Sequence, residues 1–373
     1  PTRRSSDLQP EFTQIDVEMS FCRQDDVIEV TEGFLAYLFR EFLGRELSTP
    51  LLRLTYDEAM NRFGSDKPDM RFGMELCDLS DLAAGCGFKV FAGAVEAGGS
   101  VRGINVKGGA RFSRKEIDSL TEYAKTYRAK GVAWLKKNGE DISSSYAKFL
   151  TAEENAAIYD RLGLEDGDLL LIVADKNSVV FDSLGALRCE CARRLDLIKP
   201  GDYKLLWVTD FPLLEYSEED GRYYAKHHPF TMPNEDDLEL LRDGKDLDKV
   251  RSIAYDIVIN GTEAGGGSVR IHRPDVQKLI FRTLGMSDEE AQSKFGFLLD
   301  AYKYGAPPHA GMAFGLDRLV ALMLGIEDIR DVIAFPKVQN ASELMTKCPT
   351  LGDPKALEEL GIAVVDTEDE TGE

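Results

Sequence analysis

Two carboxylates and one guanidinium come close together in the segment AYDIVINGTEAGGGSVRIH, residues 254–272. Strand alternation puts Asp256 on one face, Glu263 follows the turn, and Arg270 comes from the next strand. Carboxylates suit a hard cation such as Mg²⁺ that bridges phosphates, and a guanidinium suits bidentate capture of a carboxylate or phosphate. Glycines 265–267 would permit positive φ values and close approach of a ligand to the backbone. The alternative interpretation is a hairpin turn that carries surface charges.

A second segment, PPHAGMAFGLDRLVALMLG at residues 307–325, predicts a strand that runs into Gly315 and a helix that follows it. Arg318 lies in the first turn of that helix. The first N–H groups of a helix are unpaired and its dipole is positive there, so an anion can bind, and an arginine can stack on a base. Most turns of this kind bind nothing, and a turn without a ligand is therefore the alternative.

Two further sets of polar residues are candidates for substrate contact. His227 and His228 occur in KHHPFT, where no third ligand follows at the spacing typical of zinc, so a polar contact to a substrate is the better interpretation. In QPEFTQIDVEMSF, residues 9–21, every second residue is polar, including Gln14 and Asp16. This alternation predicts a strand that presents a row of polar side chains on one face.

The composition of the 373 residues, with 43% hydrophobic and 30% charged residues, is typical of a soluble protein with two or three structural units. No apolar run approaches the roughly 18 to 20 residues that span a bilayer, and no secretory signal is present, which predicts a cytoplasmic protein without a membrane segment. The formal net charge of −21 argues against indiscriminate nucleic-acid binding. The six cysteines show no paired metal-ligand spacing.

The residue composition and the predicted pattern of strands and helices change near residues 78 and 206. The middle part has glycine-rich strands and amphipathic helices, and it looks like a separate α+β unit. Outside it, no regular alternation of strands and helices occurs, which favours antiparallel strands. The simplest topology has the middle unit inserted into a domain that the two flanking parts form together.

Six segments in register closely resemble the bacterial aspartyl-tRNA synthetases, a class II family of aminoacyl-tRNA ligases. These segments are QPEFTQIDVEMSF, TYDEAMNRFGSDKPD, HHPFT, YDIVINGTEAGGGSVRIH, KFGFLLDAYKYGAPPHAGMAFGLDRL and RDVIAFPK. The resemblance implies an α+β fold with an antiparallel catalytic sheet flanked by helices and interrupted by an inserted GAD domain. It places the first part of the catalytic domain, starting within motif 2, at 1–77, the insertion at 78–205, the second part with motif 3 at 206–350, and an extension with an acidic tail at 351–373.

The resemblance implies that ATP and L-aspartate form aspartyl-adenylate with Mg²⁺, and that the aspartyl group then passes to the 3′ end of tRNA(Asp), possibly also of tRNA(Asn). It also implies a homodimer. The assigned residues are Asp256, Glu263 and Arg270 for catalysis; Gln14, Asp16, His227, His228 and Arg270 for aspartate; Gln9, Glu263, Gly315, Leu316, Asp317 and Arg318 for ATP; and Asp256 and Glu263 for the metal. Arg270 would pair with the side-chain carboxylate of aspartate, and asparagine would leave this guanidinium without its opposite charge.

The first residues depart from the family pattern. By register, an arginine that grips the α-phosphate would fall immediately before Pro1, and residues 1–8 do not fit the family. The resemblance therefore predicts an N-terminally truncated chain without the anticodon-binding barrel, and we expect this chain alone to form little aspartyl-adenylate. Two alternatives are a related class II adenylate-forming ligase and a non-catalytic fragment that binds the ligand or tRNA.

Overall fold

The structure is a computed structural model and describes residues 9–364. The described chain forms two compact units, one of residues Gln14–Gly315 and one of residues 9–13 with 316–364. The expectations about residues 1–8 and most of the acidic tail lie outside the described residues. No helix in the described range is long and apolar enough to cross a membrane.

A six-stranded sheet organises the first unit, with the strand order β1-β13-β12-β11-β8-β2. Its strands are β1 (Gln14–Ser20), β2 (Leu52–Thr55), β8 (Leu205–Thr209), β11 (Ala254–Ile259), β12 (Thr262–Val269) and β13 (His309–Gly315). Neighbours are antiparallel as expected, except that β2 and β8 are parallel. A parallel pair needs a long crossover connection, and the whole chain between β2 and β8 provides it.

One face of this sheet is covered by α1 (Gln24–Leu43). The helix ends before Gly44, whose φ of 62° is the left-handed conformation that terminates many helices. The Phe34 and Phe314 rings pack with their centroids 5.3 Å apart, and Glu32 Oε1 accepts the Trp207 Nε1–H at 3.0 Å. Because α1 takes this face, the polar residues of β1 lie on the other one.

A five-stranded antiparallel sheet of order β3-β4-β7-β5-β6 is built from the middle of the chain. Its strands are β3 (Cys77–Asp78), β4 (Ser100–Val106), β5 (Ala133–Asn138), β6 (Asp141–Ser144) and β7 (Leu169–Asp175). The accompanying helices are α3 (Ser80–Ala83), α4 (Lys89–Glu96), α5 (Arg114–Lys125), α6 (Ala152–Leu162) and α7 (Asn177–Arg194). Apolar clusters occupy both faces, since successive β7 residues such as Leu169 and Leu170 belong to different clusters.

The first unit also contains a two-stranded ribbon and further helices. These are β9 (Leu214–Ser217), β10 (Arg222–Ala225), α2 (Tyr56–Phe63), α8 (Leu238–Asp243), α9 (Pro274–Thr283) and α10 (Asp288–Tyr302). The second unit contains α11 (Leu316–Leu324) and α12 (Pro354–Glu359). The domain boundaries drawn from the sequence stay a prediction.

Candidate functional site

The face of the six-stranded sheet opposite α1 carries two rows of residues in register. In the first row, Asp16 pairs with Ala313, Ala313 with Gly266, and Gly266 with Asp256. Residues directly opposite each other on neighbouring strands point to the same face. The predicted aspartate residue of β1 and the predicted metal residue of β11 therefore share a face, and only small residues lie between them.

The second row places Arg270 on the same face. Glu18 pairs with Gly311, and Gly311 pairs with Ser268, two residues before Arg270. A Cβ at Gly311 would collide with the Glu18 carboxylate, so glycine is needed for Glu18 to lie across β13. The carboxylate thereby reaches the arginine at the end of β12.

A bulge in β12 brings Glu263 to this face. The register shifts so that Ala264 is the extra residue between Gly265 and Glu263. In an unbroken strand Glu263 would point away from Gly266, since three residues of period-two alternation separate them. Bulges often re-aim a side chain in this way, and here the bulge turns Glu263 toward Asp256.

The two acids converge above Gly266. A Cβ on this glycine would lie 2.5 Å from Asp256 Oδ1 and 3.7 Å from Glu263 Oε1. The expectation of positive φ for glycines 265–267 is wrong, because all three have ordinary extended strand backbone. Their hydrogen side chains instead allow close approach, and a Cβ on Gly265 would lie 2.6 Å from the Ala313 carbonyl oxygen.

Burial raises the pKa of Asp256 well above its ordinary value, and the neighbouring Glu263 and Asp66 carboxylates raise it further. Lys67 opposes this effect. Its Nζ lies 3.7 Å from Glu263 Oε2 and 3.9 Å from Asp66 Oδ1. Asp66 and Lys67 were not among the predicted site residues, although the segment GSDKPD that carries them belongs to the family resemblance.

A buried arginine from α7 holds the loop that carries this aspartate and lysine. Arg188 is 1% exposed and donates to the carbonyl oxygens of Asp69 at 2.8 Å, Gly73 at 2.5 Å and Met74 at 3.2 Å. Its guanidinium also lies over the Phe72 ring, 4.5 Å from the centroid. The middle of the chain therefore stabilises a loop at the site.

Arg270 is the most highly connected cation of this face. Its Nε and Nη2 donate to the two carboxylate oxygens of Glu18, each at 3.1 Å, and its Nη1 donates to Ser268 Oγ at 2.9 Å. The same Nη1 lies 3.0 Å from His228 Nε2. Within the described chain the bonds to Glu18 and Ser268 use three of the five guanidinium N–H groups, and a fourth faces the His228 ring.

His228 presents a second N–H group next to this arginine. Burial, followed by the charge of Arg270, lowers the His228 pKa to about 4, so the ring is neutral near neutral pH. The Phe230 N–H donates to His228 Nδ1 at 3.1 Å, and the ring proton of this tautomer is therefore on Nε2. Two N–H donors then face each other, and an anionic oxygen placed against both would satisfy them.

His227 packs against Phe211, within range of the charges of the acidic residues. Its ring packs edge-on against Phe211, with the centroids 4.9 Å apart. Burial lowers the His227 pKa, and Lys226 lowers it further, whereas Glu263 and Asp66 act in the opposite direction. His228 therefore contacts the arginine, whereas His227 is influenced by the charges of the acids.

The remaining residues predicted in the first unit follow the sheet. Gln14 and Asp16 are exposed on β1, as the alternation predicted. Gln14 pairs with Gly315, the last residue of β13. The structure thus brings Gln14, Asp16, His228, Asp256, Glu263 and Arg270 to one face or into direct contact with it.

The other residues assigned to ATP belong to the second unit. Gln9 is 4% exposed; its Oε1 accepts the Lys337 N–H at 3.0 Å and its Nε2 donates to the Glu11 carbonyl oxygen at 2.7 Å. Asp317 Oδ2 accepts the Thr13 N–H at 2.8 Å. These bonds tie residues 9–13 to the chain after β13.

The start of α11 is also hydrogen-bonded to residues 9–13. The Leu316 N–H donates to the Thr13 carbonyl oxygen at 2.9 Å, and Arg318 lies in the first turn of the helix, as predicted. The ATP assignments of Gln9, Leu316, Asp317 and Arg318 stay predictions.

A family model described as tRNA synthetases class II (D, K and N) matches residues 3–339. The chain belongs to this family. The predicted α+β class II synthetase fold is thereby confirmed, and the GAD assignment of the middle part stays a prediction.

Two curated relatives match nearly all of this chain and are themselves longer. The aspartate–tRNA ligase of Ruminiclostridium cellulolyticum is 59% identical over 360 residues, which cover 96% of this chain and 60% of that protein. The aspartate–tRNA(Asp/Asn) ligase of Symbiobacterium thermophilum is 58% identical over 362 residues, or 96% of this chain and 61% of that protein. The asparaginyl-tRNA synthetase structure from Entamoeba histolytica, in complex with asparaginyl-adenylate, aligns with 13% identity and a TM-score of 0.44 over 92% of this chain and 51% of that one. The chain spans about 60% of the length of the curated relatives it matches.

Proposed function

We propose that this chain carries the catalytic site of an aspartate–tRNA ligase. It would join L-aspartate to ATP as aspartyl-adenylate and then transfer the aspartyl group to the 3′ end of tRNA(Asp). The observation that supports this proposal best is the convergence of N–H donors at Arg270 and His228, which suits a carboxylate. The names and identities of the two relatives agree with it.

Specificity for aspartate would follow from this donor pair. A side-chain carboxylate accepts hydrogen bonds from both the arginine and the neutral histidine. The amide of asparagine offers its own N–H₂ to the same place, and it leaves a donor facing a donor. A pocket built for a polar partner rejects the analogue that cannot pair with it. Asp16, exposed on the same face, is our candidate for the substrate ammonium group.

A divalent cation fits the two acids above Gly266. A cation there would relieve the repulsion and burial that raise the pKa of Asp256. Among the described residues no group of three or more potential ligands occurs. The two converging carboxylates suit Mg²⁺, which often uses one or two carboxylates together with phosphate oxygens and water. We propose that Asp256 and Glu263 hold Mg²⁺, which would neutralise charge on the ATP phosphates.

The side chains of this face would act by placement. In the activation step, an oxygen of the α-carboxylate of aspartate attacks the α-phosphorus of ATP, and the bond to pyrophosphate breaks. The attacking carboxylate is already ionised at neutral pH, so no protein base has to remove a proton. Arg270 would orient the substrate through its side chain, and Lys67 would lie near the nucleotide phosphates. Gln9, Gly315, Leu316, Asp317 and Arg318 remain our proposed ATP contacts.

The partners of the whole protein are also proposals. The Symbiobacterium thermophilum relative is an aspartate–tRNA(Asp/Asn) ligase, so both tRNA(Asp) and tRNA(Asn) are candidate acceptors. A homodimer and a cytoplasmic location, where translation uses charged tRNA, are proposed from the same family membership.

Calorimetry with non-hydrolysable adenylate analogues tests the proposal. We expect the aspartyl-adenylate analogue to bind at least about 100-fold more tightly than the asparaginyl analogue, because only the first satisfies both donors. Equal affinity for the two would contradict the assignment to aspartate. Any exchange of pyrophosphate into ATP that depends on aspartate, even a weak one, identifies a ligase and excludes a protein that only binds the adenylate.

A further inference from the structure

The loop of residues 64–74, which we call the lysine loop, follows α2 and brings Lys67 to the charged face. Lys67 Nζ lies 3.7 Å from Glu263 Oε2 and 3.9 Å from Asp66 Oδ1. The lysine side chain is 29% exposed, so a ligand on this face can reach it. Neither the family membership nor the proposed ligase chemistry says what fixes the loop in this place.

The helix α7 of the middle part touches the beginning of the lysine loop at two glycines. A Cβ on Gly185 of α7 would collide with the Gly64 carbonyl oxygen, and a Cβ on Gly64 would collide with the Phe181 carbonyl oxygen. Gly64 also ends α2 with a φ of 64°, in the left-handed conformation. The two backbones therefore lie in direct contact, and the loop starts from a fixed point on α7.

One turn further along α7, Arg188 holds the rest of the loop. It donates to the carbonyl oxygens of Asp69, Gly73 and Met74 at 2.8, 2.5 and 3.2 Å. Burying a guanidinium costs free energy unless its N–H groups are bonded, and here the loop carbonyls supply those bonds. An apolar side chain would pack at this place without that cost, but it would leave the three carbonyls unheld.

The opposite side of the lysine loop lies against the hairpin that carries the acids of the site. Asp69 is 6% exposed, and a Cβ on Gly261 would lie 2.9 Å from the Asp69 Cβ. Gly261 belongs to the turn between β11 and β12, two residues before Glu263. The loop is thus clamped between α7 and this turn, and Lys67 is only two residues from the clamped Asp69.

We propose that Arg188 is a positioning residue for the proposed nucleotide site: through the lysine loop it keeps the Lys67 ammonium beside Glu263, where this ammonium meets the ATP phosphates. Arg188 is 1% exposed and touches no ligand itself. The middle part would then control nucleotide binding through α7, by its contact with the loop and not with the nucleotide. The role of Lys67 rests on the proposed function, whereas the placement of the loop by Arg188 does not.

A double-mutant cycle of Mg²⁺–ATP affinities, measured by calorimetry, tests whether Arg188 acts through Lys67. Lys67→Met removes the ammonium and Arg188→Met removes the bonds to the loop, and each change should weaken binding about tenfold. Because both act through the same ammonium, Arg188→Met should cost less than about twofold when Lys67→Met is already present. Losses that multiply to about 100-fold in the double variant would overturn the proposal.

Adenosine is a matched probe, because it lacks the phosphates that Lys67 would meet. Ligand-observed NMR should show that the wild type and Arg188→Met bind adenosine within about twofold of each other. General damage to the site would weaken adenosine and Mg²⁺–ATP alike. An equal loss for the two probes in Arg188→Met therefore contradicts a positioning role.

Arg102 on β4 is the matched control, because it also joins the middle part to α2 but does not bond to the lysine loop. Its side chain is 11% exposed, and it donates to the Asn61 carbonyl oxygen at 3.3 Å and to Asn61 Oδ1 at 2.9 Å. Arg102→Met should lower the unfolding temperature yet keep Mg²⁺–ATP affinity within about twofold of wild type. A loss of affinity as large as that of Arg188→Met would show that any damage to this junction weakens binding, and the proposal would fail.

Hydrogen exchange of the full chain without ligand tests the placement of the loop by itself. The Arg71 N–H donates to Asp69 Oδ1 at 3.0 Å, and this bond lies within the loop. In Arg188→Met the loop amides should exchange about tenfold faster or more relative to those of α5, whereas Arg102→Met should leave them unchanged. Unchanged loop exchange in Arg188→Met overturns the proposal. If the wild type binds no Mg²⁺–ATP, the proposed function fails, and exchange still decides whether Arg188 places the loop.

Discussion

The two sheets of the first unit differ in how far their faces are buried. In β7 of the five-stranded sheet, Leu169, Leu170, Leu171 and Ile172 are all 0% exposed, and apolar clusters lie on both sides. The six-stranded sheet buries one face under α1 and keeps charged residues on part of the other. There, Asp256 is held in surroundings that disfavour its charge. One sheet maximises burial, and the other accepts a loss of stability at the place where a ligand is proposed to bind.

Glycines show the same contrast. On β4 of the five-stranded sheet, a Cβ at Gly103 would meet the Ile172 and Leu162 side chains at 3.1 and 3.2 Å. On the other sheet, a Cβ at Gly266 would meet the Asp256 carboxylate at 2.5 Å. The same residue type therefore makes room for apolar packing in one sheet and for polar ligand groups in the other.

Arg270→Leu should have the largest effect on the charged face. The substitution removes the guanidinium and leaves Glu18 without its bidentate partner. Affinity for the aspartyl-adenylate analogue should fall about 100-fold or more, in line with truncation of one member of a hydrogen-bonded charge pair. Calorimetry measures this loss, and pyrophosphate exchange in an intact enzyme should be abolished.

The matched control for that variant is Arg273→Leu. Arg273 is partly exposed and pairs with Asp275 beside α9. An exposed ion pair contributes little, so the analogue should bind to this variant within about twofold of wild type. Normal analogue binding or normal exchange by Arg270→Leu would refute the role given to the charged face.

Asp256→Asn should raise the free energy of unfolding while it weakens ligand binding. The Asp256 pKa is raised above its ordinary value of 3.8, so the folded state binds more protons than the unfolded state above that pH. The wild-type free energy of unfolding must then decrease as the pH rises through this window. The amide cannot ionise, and the variant should gain about 1 kcal/mol at neutral pH while it loses Mg²⁺–ATP binding.

Urea denaturation at several pH values, together with nucleotide titration in the presence and absence of Mg²⁺, measures both effects. Glu29→Gln is a control for a change of net charge, because Glu29 lies on the exposed surface of α1. A variant at position 256 that is less stable than wild type at neutral pH would contradict the account of a disfavoured charge.

Sequence reasoning located most of the charged face because period-two alternation is a local property. The alternation of β1 correctly placed Gln14 and Asp16 on one face, and the strand before Gly315 was also correct. The turn expected before Glu263 is formed by Asn260 and Gly261, and both residues have positive φ, as a two-residue hairpin requires.

Features that depend on contacts between distant segments were missed. The extra residue Ala264 is not marked by composition, yet it decides the direction of Glu263. Lys67 reaches the face from a loop that Arg188 holds from far along the chain. The bidentate bond between Glu18 and Arg270 joins residues separated by 252 positions, and alternation alone could not predict that distance.

Gly266→Ala and Gly103→Ala together compare a glycine beside ligand groups with a glycine in an apolar core. The methyl group would displace the Asp256 carboxylate, which is the end of a flexible side chain, so stability should change little. Affinity for Mg²⁺–ATP should fall about tenfold, because the two acids no longer converge. In Gly103→Ala the methyl group meets packed apolar atoms instead, and we expect a loss of about 1–3 kcal/mol in the free energy of unfolding.

Thermal unfolding and nucleotide titration of both variants make the comparison. Gly103→Ala should keep the nucleotide affinity of wild type. Gly33→Ala on α1 is a reference without a new contact, because a Cβ there meets nothing within 4 Å; as a change from glycine to alanine inside a helix it should itself gain about 0.5–1 kcal/mol. If Gly266→Ala were the variant with the larger loss of stability and an unchanged nucleotide affinity, the distinction between the two sheets would be wrong.

The smallest expected effect is a pH dependence through His228. Its folded-state pKa is about 4, below the ordinary 6.5, so the unfolded state binds more protons between these values. The free energy of unfolding should therefore decrease as the pH falls through this window. A bound carboxylate favours the protonated ring and raises its pKa, so affinity for the aspartyl-adenylate analogue should increase about two- to fivefold from about pH 7 to about pH 5.

His228→Asn should flatten that increase, because the amide does not titrate, whereas His227→Asn should retain most of it. His227 lies near Glu263 and not against Arg270, so it does not respond to the same carboxylate. Calorimetry in two buffers with different ionisation enthalpies counts the protons taken up on binding. An uptake that is unchanged in His228→Asn would show that the donor pair beside Arg270 does not receive the substrate carboxylate, even if Arg270→Leu abolished binding.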